Sequence, residues 1–189
     1  MAQALLKLRD VNILLGISGA IPVYKAADLA SKLTSAGARV RCVMTANAAK
    51  FVTPVTFQAL TGMLVYTDLW TGAKDFSITH INLADSADIV VVAPATANII
   101  AKTASGICDD LLSTTLCACW DKPFLIAPAM NTQMWANPAV RQNIETLKTR
   151  QVEIIGPETG RLACGTEGAG RMTEPADIIK RIEQIAEQI

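Results

Sequence analysis

Charge is scarce in this sequence. Asp, Glu, Lys and Arg make up only 18% of its 189 residues, against about a quarter in an average soluble domain. The two signs balance at 17 each, so the basic surplus that a nucleic-acid partner requires is absent. Long apolar runs are missing too. Although 51% of the residues are hydrophobic, no run approaches the roughly 20 residues that cross a bilayer, and Met1–Asp10 has no signal-like apolar core. A chain with so little charge and no membrane span has surface to bury, so a cytoplasmic homo-oligomer is expected, with neither a membrane nor a nucleic acid as partner.

Metal and dinucleotide signatures are absent as well. Histidine occurs once, at His80, and no CxxC pair exists. Cys117 and Cys119 are two apart on an expected helix and so face different ways; no metal site is expected. The five cysteines are an odd number, consistent with reduced thiols. No GxGxxG occurs, and the second strand ends in Met44-Thr45-Ala46-Asn47, without the acid that grips a dinucleotide ribose. A mononucleotide such as FMN remains open.

What is present is an alternation of apolar strands and helical patterns over a single domain. Strands are expected at Val11–Gly16, Val40–Met44, near Leu64–Tyr66, at Asp88–Ala93, Phe124–Ala127 and Val152–Ile155. Between them, Ala26, Leu29, Ala30 and Leu33 repeat at helical spacing behind Pro22, and Gly37 ends that helix. Helical turns are expected over Ala46–Phe51 and Pro54–Leu60. Helices follow at Ala97–Ala104, Asp109–Trp120, Pro138–Arg150 and from Pro175 onward. Nearly all-apolar strands alternating with helices mean an α/β fold, a parallel sheet covered on both faces. Gly156–Arg171 stands apart: five glycines and a proline in sixteen residues, without periodicity. It reads as a long loop of the kind that serves as a lid.

Ligands of open parallel sheets bind at the carboxyl ends of strands. After the first strand comes Gly16-Ile17-Ser18-Gly19-Ala20-Ile21-Pro22, which suits either phosphate binding by backbone N–H groups or a plain tight turn. Pro94-Ala95-Thr96-Ala97-Asn98 and Pro128-Ala129-Met130-Asn131 follow two later strands; Asn98 and Asn131 also suit helix caps. His80 is the one histidine, the residue type suited to proton transfer near neutrality, and Cys164, in the glycine-rich loop, is a thiol that loop closure could bring to a substrate.

In order, GISGAIPVYKA (Gly16–Ala26), THI (Thr79–Ile81), APATAN (Ala93–Asn98), GICDDLLSTT (Gly106–Thr115), PAMN (Pro128–Asn131) and LACGTEGAGRM (Leu162–Met172) resemble the flavin-containing cysteine decarboxylases, of the phosphopantothenoylcysteine type. The resemblance runs from Val11 to about Ile185. It implies a flavodoxin-like three-layer fold, and FMN bound near the interface of a homotrimer or of a dodecamer of four trimers. The FMN contacts it implies are Ser18, Gly19, Ala20 and Ile21; Thr45, Ala46 and Asn47; Thr96, Ala97, Asn98 and Ile99; and Met130. His80, Asn131 and Cys164 match catalytic positions. Asn131 grips the substrate carboxylate there, Arg161, Leu162 and Ala163 contact substrate, and Cys164 is the proton donor. The implied reaction removes CO2 from 4'-phosphopantothenoylcysteine on the way to coenzyme A. The cysteine side chain is first oxidised to a thioaldehyde, so that decarboxylation leaves its charge on sulfur.

The resemblance admits rivals. A peptidyl-cysteine decarboxylase performs the same chemistry on a peptide's C-terminal cysteine, but the PAMN and ACGxxGxGRM patterns favour the pantothenate substrate. Flavin-binding phosphatase inhibitors lose catalytic residues that are present here, and flavin prenyltransferases lack both patterns. Relatives in many bacteria carry this domain fused to a ligase, so the chain is read as either free-standing or the N-terminal half of such an enzyme.

Overall fold

Strands β1 (Asn12–Ile17), β4 (Ile89–Ala95) and β5 (Phe124–Pro128) carry almost uninterrupted apolar residues and, with β2 (Arg39–Met44), whose Arg39 and Arg41 are its two charged positions, form the centre of a parallel sheet. The computed structural model describes residues 7–70, 79–161, 165 and 167–189. Short strands β3 (Val65–Tyr66) and β6 (Glu153–Ile154) complete the sheet at its edges, in the order β3-β2-β1-β4-β5-β6. All five pairings are parallel; Ile13 lies opposite Val40 on one side and Ile89 on the other. The chain moves from β1 outward to β3, then returns to place β4 on β1's other side. That reversal is the switch point at which such sheets open a crevice.

Alternate strand residues feed two cores. Leu15, Met44 and Val91 pack under α1 (Val23–Ser35), α2 (Pro54–Thr61) and α8 (Pro175–Ala186), through Leu29, Leu33, Phe57, Ile178 and Ile182. Leu14, Val90, Val92 and Ile126 pack under α3 (Thr79–Asp85), α4 (Ala97–Ser105), α5 (Leu111–Ala118) and α7 (Pro138–Thr149), through Leu83, Ile100, Leu112, Leu116, Ile144 and Leu147. The three layers and the parallel sheet are those expected of a flavodoxin-like chain. Local signals set the helix ends: Gly37 turns the chain after α1 at φ +93°, where a side chain is strained. Asp110 and Ser113 form a reciprocal capping box that starts α5. Among the described residues, no helix is long and apolar enough to cross a membrane.

The structure departs from the sequence expectation chiefly between Gly156 and Arg171. That stretch is not a bare loop but an antiparallel ribbon, β7 (Glu158–Arg161) with β8 (Glu167–Arg171), pairing Thr159 with Ala169 and Arg161 with Glu167. Its strands read ETGR and EGAGR, with no alternation of apolar residues for a periodicity argument to find. Two short helices also went unforeseen: α3, and α6 (Thr132–Ala136). Each is too short to display a helical repeat. The last helix stops at Ala186 rather than running to the end.

Candidate active site

A cleft of about 700 Å³ opens across the carboxyl ends of the strands, at the switch point. Its floor is set by Ser18, only 2% exposed. The Ser18 hydroxyl donates to the Pro94 carbonyl at 2.8 Å and accepts the Thr96 N–H at 2.9 Å, tying the end of β1 to the end of β4. Removing that oxygen would leave a buried N–H without its acceptor, at a cost of about 1–3 kcal/mol. Ser18 does not line the cleft; it brackets the two segments that do.

Those segments are small-residue turns. Gly19, Ala20, Ile21 and Pro22 lead from β1 into α1, and Thr96 and Ala97 lead from β4 into α4. A Cβ at Gly19 would stand 2.5 Å from the Asn47 Cβ and 2.8 Å from its carbonyl carbon, so only glycine permits this approach. No side chain caps α1, and its first turn holds no acid. Among the described residues, the Gly19 and Ile21 amides have no hydrogen-bond acceptor. Unengaged amides at a helix start, without a carboxylate nearby, make a seat for an anion. Thr96 caps its own helix, its hydroxyl accepting the Ile99 N–H at 3.3 Å.

The opposite wall comes from Ala129, Met130, Asn131 and Met134, where β5 runs into α6. Asn131 caps α6 by accepting the Gln133 N–H on Oδ1 at 2.8 Å. The roof is the β7–β8 ribbon. The Met130 N–H donates to the Gly170 carbonyl at 3.0 Å, and a Cβ at Gly170, whose φ is +145°, would meet the Met130 oxygen at 2.1 Å. Gly168 also sits close over Thr132, a Cβ there standing 2.6 Å from the buried Thr132 hydroxyl, which has no hydrogen-bond partner among the described residues.

The structure brings Gly19, Ala20, Ile21, Thr96, Ala97, Met130, Asn131 and Arg161 to one cleft, from four separate stretches of chain. It does not bring all the expected residues there. Thr45, Ala46 and Asn47 lie beside the cleft without lining it; the Thr45 hydroxyl instead accepts the Ala48 N–H at 3.2 Å. Asn98 is exposed and Ile99 is buried in the core beneath α4, neither on the cleft wall. His80 is half-buried on α3, which packs on α5, and is not on the cleft wall. Leu162, Ala163 and Cys164 lie outside the described residues.

The sequence reading overlooked Tyr24, Lys25 and Arg171, all of which line the cleft. Lys25 is 7% exposed and donates to Glu174 at 2.8 Å and to the Met172 carbonyl at 3.3 Å. Arg171 donates to the same Glu174 carboxylate.

The site suits a flat, phosphate-bearing cofactor. Methionines and small apolar residues make its walls, with backbone N–H groups at one end. Comparison with known proteins agrees. The model of the Flavoprotein family matches residues 1–187. The coenzyme A biosynthesis bifunctional protein CoaBC of Bacillus subtilis (strain 168) is 50% identical over 177 residues, 94% of this chain and 43% of that protein. The chain thus spans less than half the length of this relative. Among solved structures, a cysteine-to-serine mutant of PPC decarboxylase complexed with pantothenoylaminoethenethiol superposes with a TM-score of 0.86 and 34% identity, covering 95% of this chain and 100% of that one. The FMN-dependent cysteine decarboxylase SpaF superposes with a TM-score of 0.82 and 32% identity, covering 95% and 99%.

Proposed function

Since the chain belongs to the flavoprotein family, we propose that it is an FMN-dependent decarboxylase of 4'-phosphopantothenoyl-L-cysteine, acting in coenzyme A synthesis. One observation carries the reading. The switch-point cleft joins an acid-free helix start to apolar walls, an asparagine and cationic side chains, and among the described residues no carboxylate lines it. That suits a flavin phosphate together with a substrate anionic at both ends. The likeness to CoaBC and to PPC decarboxylase over nearly the whole chain supports the same substrate.

The residue roles of this reading are as follows, those of Leu162, Ala163 and Cys164 resting on the resemblance alone. The Gly19 and Ile21 amides hold the cofactor phosphate, and Ser18 keeps that turn against Thr96 without touching the ligand itself. Thr96 and Ala97 with the α4 start, and the Thr45–Asn47 turn behind Gly19, hold the remainder, while Met130 lies against the ring. When bound, FMN supplies a two-electron oxidation of the substrate's CH2–S unit and returns the electrons once CO2 has left. Asn131, whose Oδ1 accepts the Gln133 N–H, grips the substrate carboxylate, for which an amide NH2 is the donor that an anion requires. Cys164 delivers a proton to the carbon left by CO2, and Leu162, Ala163 and Arg161 close on the substrate. The ribbon excludes water, which strengthens each of these polar contacts.

His80 completes the reading. Its place away from the cleft of its own chain is accounted for if the protein assembles as a homotrimer, alone or in a dodecamer, with His80 of one copy serving a neighbour's cleft. Exposed Tyr24, Trp70 and Ile81 supply apolar surface for such an assembly, and the cytoplasm, with its reduced thiols, is the compartment that fits. The test is an absorbance spectrum of the purified protein, then anaerobic addition of 4'-phosphopantothenoylcysteine with mass analysis. A flavin spectrum with release of CO2 from that substrate is expected. Bound flavin with turnover only of a peptide's C-terminal cysteine would transfer the assignment to the peptidyl reading, and a protein that binds no FMN would end both.

A further inference from the structure

Among the described residues three charged side chains line the cleft, Lys25, Arg161 and Arg171, and all are cations. The acids nearest them, Glu158, Glu167 and Glu174, stand outside the lining. A second concavity between α4, α5 and α7 is also lined by cations, Lys102, Lys122 and Arg150, but there the carboxylate of Asp121 shares the wall. The cleft's cations therefore need an explanation that the flavin seat and the carboxylate-binding Asn131 do not supply.

Arg171 is the best placed of the three. Its guanidinium lies over Gly160, 3.6 Å from where a Cβ would stand, so it runs back along the ribbon. One amino group donates to Glu174, and a guanidinium has five N–H donors. Glu174 is shared with Lys25, so one carboxylate serves two cations while it fixes the direction of both. Glu158 is engaged elsewhere, accepting the Glu174 N–H at 3.3 Å. Tyr24, adjacent to Lys25 and well exposed on α1, lines the same corner. A fixed guanidinium with unspent donors, an ammonium and a phenol make a receptor for a doubly charged oxyanion.

We propose that Arg171, with Tyr24 and Lys25 beside it, binds the phosphate monoester end of the substrate and thereby selects phosphorylated over unphosphorylated cysteine amides. The proposal rests on the decarboxylase reading and adds to it the group that reads the far end of the substrate. FMN carries a phosphate monoester as well. The ribbon is the wall that also carries the expected substrate contacts, whereas the flavin's phosphate has its seat at Gly19 and Ile21, so Arg171 serves the substrate.

The experiment compares kcat/KM of the FMN-loaded protein for 4'-phosphopantothenoylcysteine and for pantothenoylcysteine, in wild type, Arg171→Gln, Arg171→Lys and Tyr24→Phe. FMN affinity is measured alongside. Wild type prefers the phosphorylated substrate; Arg171→Gln lowers the ratio of the two values about ten- to a hundredfold, Arg171→Lys restores part of it, and FMN affinity is unchanged. Tyr24→Phe lowers the ratio about three- to tenfold, which keeps the test decisive if Arg171→Gln fails to fold. A ratio unmoved by these changes overturns the subsite, as does a wild type without preference. FMN affinity that falls while the ratio holds overturns it too, assigning Arg171 to the cofactor. Wild type inert toward both substrates is a distinct result: it removes the decarboxylase reading itself, and the subsite with it.

Discussion

Where β1 ends at Ser18, every neighbouring position on β4 from Ile89 to Ala95 is buried, and one hydroxyl fastens the two strand ends together. Where β8 closes the same cleft, every residue but Gly170 is exposed or half-buried, and its grip on the β5–α6 turn is one backbone hydrogen bond and two glycines pressed against Met130 and Thr132. The floor is thus positioned by sheet register and hydrogen bonding, and the roof by the absence of side chains. The floor can lose an atom and still be located by its neighbours. The roof can lose nothing, because nothing is there to remove; what it cannot accept is an added methyl group.

The sharpest way to break this contrast is Gly170→Ala. The new Cβ would overlap the Met130 carbonyl, a backbone atom that cannot swing away, at a φ of +145° that alanine rarely adopts. The ribbon must lift and the Met130–Gly170 hydrogen bond must break. Because a misplacement of about 1 Å in a positioning element can cost about a hundredfold in rate, turnover should fall by about that factor. The sheet, its cores and flavin binding should persist, since none of them includes Gly170. Steady-state kinetics beside the flavin spectrum and far-UV circular dichroism read this directly, and near-parental turnover would show that the roof does not depend on close approach.

Gly19→Ala makes the matching change in the floor and should do less. Its Cβ meets Asn47, which lies in a short surface turn at residues 46–50 that can shift, rather than the Met130 carbonyl. The cost should appear as FMN affinity, weaker by about tenfold if one backbone contact to the phosphate is lost, with turnover at saturating FMN less affected. Equilibrium titration by flavin fluorescence measures it. A loss of turnover at saturating FMN as large as that of Gly170→Ala would erase the distinction between floor and roof.

The same contrast decides how much could be read from the sequence. The sheet was legible because buried parallel strands such as IVVVA and FLIA are apolar throughout, and the loops that follow them fall by rule at the ligand-binding end. Gly19, Thr96 and Asn131 could therefore be placed near one another from local signals alone. The ribbon was not legible. ETGR and EGAGR carry no period, and their strand geometry depends on Met130 and Thr132, far away in sequence. Arg171 and Lys25 went unassigned for a related reason: their meeting at Glu174 joins α1 to the end of the ribbon, 149 residues apart for Lys25 and Glu174. His80 shows the converse. Motif matching put it in the site, while the fold of one chain leaves it off the cleft wall.

Glu174 gives the finest test, because it ties the roof to α1 by charge rather than by fit. Its carboxyl is held below the ordinary glutamate range, first by the hydrogen bond from Lys25, with burial opposing and Arg171 adding to the effect. A carboxyl with a depressed folded pKa takes up its proton more readily in the unfolded chain. Its contribution to stability is therefore complete above the ordinary glutamate range and is lost as pH falls through the lower, folded value. The side chain is 39% exposed, so solvent screens the pair and the effect is small. Glu174→Gln should melt within about 2–4 °C of the parent at neutral pH. The gap between the two proteins should then close as pH is lowered, because the parent loses what the variant never had. Melting curves of both proteins from neutral to acid pH measure this, and a gap that stays constant would mean that fit alone holds the ribbon against α1.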